Sequence, residues 1–194
     1  MIDSSGVKVY GEGEGKGRLH GWSTRRTGRK LPLAVDEATG ESVAAVASEA
    51  GVSEDDALPD LLAQVPGESE QVSADGAYDK RRCYEASEQR RAKAVIPPRR
   101  DAKIWQHGHC AAPPRQRNEH RRAIRHKGRR QWKQESGYHR RSVAETAFLR
   151  CKAIFGPALR AREFPRQATE LVLKAAALNR LTHLSMPESD RLAA

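Results

Sequence analysis

Residues 137–152 read GYHRRSVAETAFLRCK, and this stretch decides how the rest of the chain is interpreted. Wound as a helix, with about 100° per residue, it places four polar side chains on one stripe, namely Tyr138, Arg141, Glu145 and Lys152. An apolar stripe beside them would dock the helix on a core, and its members are Ala144, Phe148, Cys151 and Phe155. One carboxylate among basic and phenolic groups suits phosphate chemistry. Alternatively, Ser142-x-x-Glu145 is a capping box and the arginines are merely solvated.

The charge of the chain is divided unevenly. The 194 residues allow one domain with a core, and the formal net charge is +10. Residues 1–80 carry eight Lys and Arg against fifteen Asp and Glu, whereas residues 81–194 carry 27 against ten. An acidic half that could collect divalent cations, joined to a basic half that could hold a polyanion, points to nucleic acid. Ribosomal and membrane-surface proteins share such a basic composition.

Cysteine usage fits a reducing compartment, and the hydropathy of the chain fits a soluble, intracellular protein. The three cysteines are odd in number and lack a Cys-x-x-Cys pair, which argues against a disulfide framework and a cysteine zinc site. The weaker motif His107-Gly-His109-Cys110 has no second ligand pair near it. No signal region opens the chain, and no apolar run approaches the roughly 18 residues that would cross a bilayer. We expect a cytoplasmic protein without a membrane partner.

Sequence patterns predict a mixed α/β chain. A glycine-rich hairpin loop, residues 11–17, follows the first strand, and Pro32 is awkward inside the second because it cannot donate to a ladder. The predicted order is three strands, helix, strand, helix, strand and helix, with a bend at Ser4–Gly6 in the first strand. We divide the chain into three parts. Residues 1–98 are the first part of the domain, residues 99–136 are a basic insertion that is loop-like or partly helical until an anion orders it, and residues 137–194 are a C-terminal helical part.

Three carboxylates stand out by placement. Asp3 lies on the first strand, Asp75 lies at the carboxyl end of the fourth, and Glu145 lies on the late helix. Carboxylates converging from several elements can hold two divalent cations, which activate an attacking oxygen and stabilise a leaving one. Taken singly, each aspartate is better explained as a turn residue than as a metal ligand.

The combination resembles DDE transposases of insertion sequences. Tyr138, Arg141, Glu145 and Lys152 match the Y-(2)-R-(3)-E-(6)-K signature of that family. Two further stretches, IDSSGVKVYG from residue 2 and SADGAYDK from residue 73, look like the segments around its first and second catalytic aspartates. LAVDEATG from residue 33 and KIWQHG from residue 103 are similar to the insertion-sequence-five group.

The resemblance covers nearly the whole chain and implies a fold, a chemistry and a set of roles. The fold is an RNase H-like mixed sheet flanked by helices, with a long basic insertion before the last catalytic helix. Asp3, Asp75 and Glu145 would be the catalytic and metal-binding triad for two Mg²⁺ or Mn²⁺ ions. Double-stranded DNA, as transposon ends and target, would be the partner of a chain that could act as a homodimer. The residues assigned to DNA contacts are Tyr138, Arg140, Arg141 and Lys152.

The sequence is compatible with several functions. The leading function is metal-dependent cleavage and strand transfer of an insertion sequence. Because the chain starts two residues before Asp3, we expect an N-terminally truncated copy with a shortened central strand. The alternatives are a non-catalytic remnant or basic nucleic-acid-binding protein, and an RNase H-like nuclease without strand transfer. Trp105 and Trp132 could stack on a displaced base or anchor small apolar clusters.

Overall fold

The computed structural model describes residues 1–9, 28–49, 51–105 and 115–184. The glycine-rich loop at 11–17 and the His107-Gly-His109-Cys110 motif lie outside these residues. The strands are β1 (Ile2–Val9), β2 (Gly28–Val35), β3 (Ser42–Ala45), β4 (Ser48–Glu49), β5 (Gln71–Ser73), β6 (Lys93–Val95) and β7 (Ala158–Leu159). The α-helices are α1 (Ala57–Gln64), α2 (Arg81–Gln89), α3 (Gln116–Lys127), α4 (Arg129–Glu135), α5 (Ser142–Phe155) and α6 (Phe164–His183).

The main sheet is mixed, with the order β3-β2-β1-β7 and with β4 also paired to β2. β1 pairs antiparallel with β2 and places Asp3 opposite Leu33, and its last residues pair in parallel with β7. β5 and β6 form a separate parallel pair. This mixed α/β architecture confirms the predicted fold class and is consistent with an RNase H-like fold.

Two local expectations about the first strands are corrected. The predicted bend at Ser4–Gly6 does not interrupt β1, because β2 pairs with it residue by residue from Ile2 to Lys8. Pro32 lies inside β2, opposite Ser4. It lacks an N–H, yet its carbonyl still accepts a hydrogen bond from the Val46 N–H at 3.1 Å.

β1 separates two apolar clusters because successive side chains of a strand point to opposite faces. Ile2 joins Leu58, Leu61 and other residues of α1 and α2 on one side. Val7 and Val9 join the buried faces of α5 and α6 on the other, together with Phe148. The amphipathic pattern of residues 58–65 and the apolar stripe of α5 are thereby confirmed, since Leu58, Leu61, Ala144 and Cys151 are all buried.

The basic stretch is helical from Gln116 to Glu135, apart from Gly128, and packs on the rest of the chain, whereas residues 99–105 are irregular. α3 and α4 bury Ile124 and Trp132 against Val95 and Tyr138, which forms a third apolar cluster. Trp132 is 3% exposed, so it anchors this cluster and is not available to stack on a displaced base. Trp105 is half-buried and meets the Tyr84 ring edge-on, with centroids 5.5 Å apart. In the described part of the chain no helix is long and apolar enough to span a membrane.

His120 makes the third cluster sensitive to pH. Its Nε2 lies 2.6 Å from the Ala94 carbonyl oxygen, and the Trp132 indole N–H donates to its Nδ1 at 3.3 Å. An imidazole that donates through one nitrogen and accepts at the other is neutral. Burial lowers the pKa of His120, reinforced by Lys93, while the Ala94 hydrogen bond, Glu119 and Asp79 act in the opposite direction.

We expect the free energy of unfolding to fall as the pH drops below about 6.5, the ordinary pKa of histidine in an unfolded chain. Below this pH His120 binds a proton in the unfolded chain more readily than in the folded chain. The contribution of neutral His120 to the free energy of unfolding is therefore complete above about pH 6.5 and is lost as the pH falls further. Between pH 7.5 and pH 5.5, His120 should change the free energy of unfolding measured in urea by at most about 1.4 kcal/mol. His120→Gln should remove that difference, and an equal pH response in the variant would contradict the assignment.

Candidate active site

Arg141 joins two of the predicted catalytic carboxylates. Its guanidinium Nη1 lies 3.1 Å from Asp3 Oδ2, and its Nη2 pairs with the Glu145 carboxylate one helical turn away. β1 supplies Asp3, and the start of α5 supplies Glu145. The side chains of Asp3 and Arg141 are 17% and 18% exposed, whereas that of Glu145 is 55% exposed. The strand and the helix are therefore linked at this point by one arginine.

The backbone before α5 departs from the helix assumed for residues 137–152. Gly137 adopts a left-handed conformation with φ of 71°, which favours glycine, and a 3₁₀ turn runs over Tyr138–Arg141 before α5 begins at Ser142. Ser142 is inside the helix and no side-chain capping hydrogen bond is formed, so the capping-box alternative is not observed. The tighter turn keeps Tyr138 on the face of Arg141, because residues three apart eclipse in a 3₁₀ helix, but the ring is buried.

Tyr138 lies in a wall of the site rather than on its surface. It is 8% exposed, its ring lies 6.1 Å from that of Trp132, and the Arg141 guanidinium lies 5.8 Å from its centroid. Burial raises the pKa of Tyr138, with a further contribution from Asp75, although Arg141 acts to lower it. For Arg141, burial acts to lower the pKa, but Tyr138, Asp3 and Glu145 together raise it. The guanidinium therefore remains charged.

Asp75 follows β5 and opens a 3₁₀ turn, Gly76–Tyr78. Its Oδ1 accepts the Ala77 N–H at 2.8 Å, which fixes the side chain at the turn. Asp75 is close enough to act electrostatically on Asp3: burial raises the pKa of Asp3, and Asp75 and Glu145 raise it further. A hydrogen bond from Ser4 and the charge of Arg141 oppose the rise without cancelling it. The three predicted carboxylates thus share one electrostatic neighbourhood.

Lys152 and Arg140 lie at different distances from this centre. Lys152 is half-buried, and its Nζ donates to Ser5 Oγ at 2.6 Å, next to Asp3 on β1. Arg140 is exposed and pairs with Glu37 in the turn after β2. Lys152 therefore contacts β1 two residues from Asp3, and Arg140 lies at the edge.

Two further residues at the site were missed from the sequence. Glu54, in a 3₁₀ turn before α1, lies 3.9 Å from Lys30, and its pKa is raised by burial, with contributions from Asp75 and Asp3. The Tyr78 hydroxyl is buried with no hydrogen-bond partner in the described part of the chain. Burial raises its pKa, and Glu54, Asp75 and Asp3 add to the effect. Glu54 stands in an acidic helix start, a pattern that gave no sign of a site.

A basic cleft opens beside Asp75. Its volume is about 530 Å³, and it lies between the chain after β6, α4 and the turn that follows Asp75. Among the described residues, five cationic side chains line it against one carboxylate, that of Asp75; they are Arg99, Arg100, Arg129, Lys133 and Arg141. The spacing of Arg129 and Lys133 on α4 is the only sequence signal that could have placed two of them on one face.

The donor chemistry of the site suits a divalent cation, but its present arrangement does not gather the ligands. Carboxylate oxygens are the groups that Mg²⁺ and Mn²⁺ prefer. In residues 1–9, 28–49, 51–105 and 115–184, no group of three His, Cys, Asp or Glu side chains lies close enough to share one ion. Arg141 lies between Asp3 and Glu145 instead, so ion binding requires this side chain to move aside.

Comparison with known proteins identifies the family. A family model described as the transposase DDE domain matches residues 1–180, and no solved structure matches the chain. The resemblance drawn from the sequence is confirmed at the level of DDE transposases, and with it transposition, recombination and the DDE motif. Because the match covers most of its length, this chain belongs to the transposase DDE domain family.

Proposed function

We propose that the chain cleaves DNA at the ends of an insertion sequence, of the insertion-sequence-five type, and joins the freed 3′ ends to a target. The observation that carries the proposal is the linkage of Asp3 and Glu145 through Arg141 beside Asp75, at the mouth of a basic cleft. Acidic groups for metal binding and basic groups for phosphates thereby lie side by side. A homodimer on nucleoid DNA in the cytoplasm is part of this proposal.

Each residue has a role that its surroundings support. Asp3, Asp75 and Glu145 would hold two Mg²⁺ or Mn²⁺ ions, which supply an activated oxygen nucleophile and neutralise charge on the scissile phosphate. Arg141, released from the carboxylates, can present its fork to a phosphate, and Lys152 offers a point charge beside β1. Arg140 would contact DNA from the edge. Tyr138 orients Arg141 through its ring, and its own contact with DNA stays a prediction.

The test uses the purified chain and DNA that carries the ends of its element. With Mg²⁺ or Mn²⁺ we expect strand cleavage followed by joining of the 3′-hydroxyl to a second DNA molecule, and no reaction in EDTA. Cleavage without joining would indicate a nuclease. Binding with a steep salt dependence, no response to divalent ions and no cleavage would replace the proposal by a nucleic-acid-binding remnant.

The remnant is the second candidate because of a specific observation. Arg141 neutralises Asp3 and Glu145 internally, and the described residues hold no gathered metal cluster. An N-terminal truncation also stays a proposal, supported by β5 and β6, which in the described part of the chain form a sheet that is not paired with β1. Unfolding of the chain, with and without the residues encoded upstream, would test it, since a longer β1 that joined β5 should raise stability.

A further inference from the structure

The cleft beside Asp75 carries an excess of positive charge that the protein does not neutralise itself. Within the described residues, none of its four peripheral cations makes an ion pair with a carboxylate; they are Arg99, Arg100, Arg129 and Lys133. Other basic residues of the same stretch are paired, such as Arg117 with Asp79 and Arg122 with Glu119. Like charges gathered in one concave surface repel each other, and an anionic ligand relieves that repulsion.

Three of these cations are held in place before any ligand binds. The Arg129 Nη2 donates to the Pro98 carbonyl at 2.6 Å. The Arg99 backbone N–H donates to Asp79 Oδ2 at 3.0 Å, and its Nε donates to the Gly76 carbonyl at 3.4 Å. Lys133 lies over the Tyr138 ring, with its Nζ 4.8 Å from the centroid. Side chains that are already positioned lose less conformational entropy on binding, so these contacts favour a specific site over a diffuse one.

The dimensions of the cleft restrict the ligand. Its volume of about 530 Å³ lies in the usual range for a small-molecule site, about 300–1,000 Å³, so its concave part matches a short segment of a polyanion. Arg141 and Asp75 are shared between the cleft and the carboxylates.

We propose that this cleft binds consecutive phosphates of a single DNA strand next to the bond that is cut, with Arg129 and Lys133 on α4 and Arg99 and Arg100 after β6 as its contacts. This inference rests on the proposed function, because the cut bond is placed at Asp75. It adds four positioning residues to those assigned from the sequence. They hold the strand, and none of them takes part in the chemical step.

The experiment measures binding of a fluorescent single-stranded oligonucleotide by anisotropy, without divalent ions, from 50 to 200 mM NaCl. For single strands the slope of log affinity against log salt changes by about 0.7 for each phosphate contact. Arg129→Gln with Lys133→Gln should therefore reduce the slope by about 1.4 and weaken binding. The matched control is Arg125→Gln with Arg130→Gln, which removes the same charge from exposed positions of α3 and α4 that do not line the cleft.

The same titration with duplex DNA serves as the comparison. The proposal would be overturned by equal losses of affinity in the two double variants, by no loss in either, or by a loss confined to duplex DNA. If Arg129→Gln impairs folding, Arg100→Gln with Lys133→Gln replaces it, because Arg100 is exposed. Failure of the proposed function would look different. If the chain never cleaves DNA but the cleft variants still lower the salt slope, the phosphate site is supported and the proposed function is not. If the chain cleaves DNA and the cleft variants bind as the unaltered chain does, the proposed function is supported and the phosphate site is not.

Discussion

Asp75→Asn is expected to lower the rate of metal-dependent DNA cleavage by about 10³-fold while leaving the fold intact. A metal ligand stabilises the transition state by several kcal/mol, and each 1.36 kcal/mol corresponds to about a factor of ten in rate. Asparagine keeps the size of the side chain and an oxygen that can accept the Ala77 N–H, now accepted by Asp75 Oδ1 at 2.8 Å. The turn should therefore survive, and the loss should be chemical.

The readouts separate a ligand from a structural residue. Thermal unfolding of Asp75→Asn should match that of the unaltered chain, and DNA binding without metal should be equal or tighter because a negative charge has left a basic cleft. Asp60→Asn, at an exposed position of α1, is the control and should keep full activity. A rate for Asp75→Asn within about threefold of the unaltered chain would remove Asp75 from the triad.

Sequence patterns sufficed where local periodicity decides the structure. The spacing of Leu58 and Leu61 predicted the buried face of α1, and the alternation of Val7 and Val9 predicted a shared face on β1; all four are buried. The predicted helix start was wrong, because the α-helix begins at Ser142 and not at Gly137. A left-handed Gly137 and a 3₁₀ turn precede α5 instead, and Tyr138 is buried beside Trp132, a contact that the helical spacing of residues 137–152 does not encode.

The site itself was predictable only in part. Motif spacing named Asp3, Asp75 and Glu145, but nothing local indicates that Arg141 reaches Asp3 across 138 positions of sequence. The basic stretch was harder still, since composition counts its charges without revealing their partners. Some of those charges line the cleft, whereas Arg117 is 4% exposed and belongs to the interior.

Arg117→Met should lower the free energy of unfolding by about 3–5 kcal/mol, because it leaves the buried Asp79 without its cation. The Arg117 Nε and Nη2 donate to the two Asp79 oxygens at 2.6 and 3.2 Å. Its Nη1 donates to the Lys103 carbonyl at 2.6 Å, and its guanidinium lies 4.1 Å from the centroid of the Trp105 ring. Arg122→Met, which breaks an exposed pair on the same helix, should cost less than about 1 kcal/mol.

Urea unfolding of Arg117→Met, Asp79→Asn and the double variant measures how strongly the two residues are coupled. We expect the double variant to be more stable than the sum of the single losses allows, since it no longer buries an unpaired charge. Strict additivity would contradict this account of the pair. The pair also reaches the site: Asp79 follows the turn that begins at Asp75 and accepts the Arg99 N–H. Loss of the Arg117–Asp79 pair should therefore loosen the wall of the cleft. Affinity for single-stranded DNA should then fall even at urea concentrations where the domain is still folded.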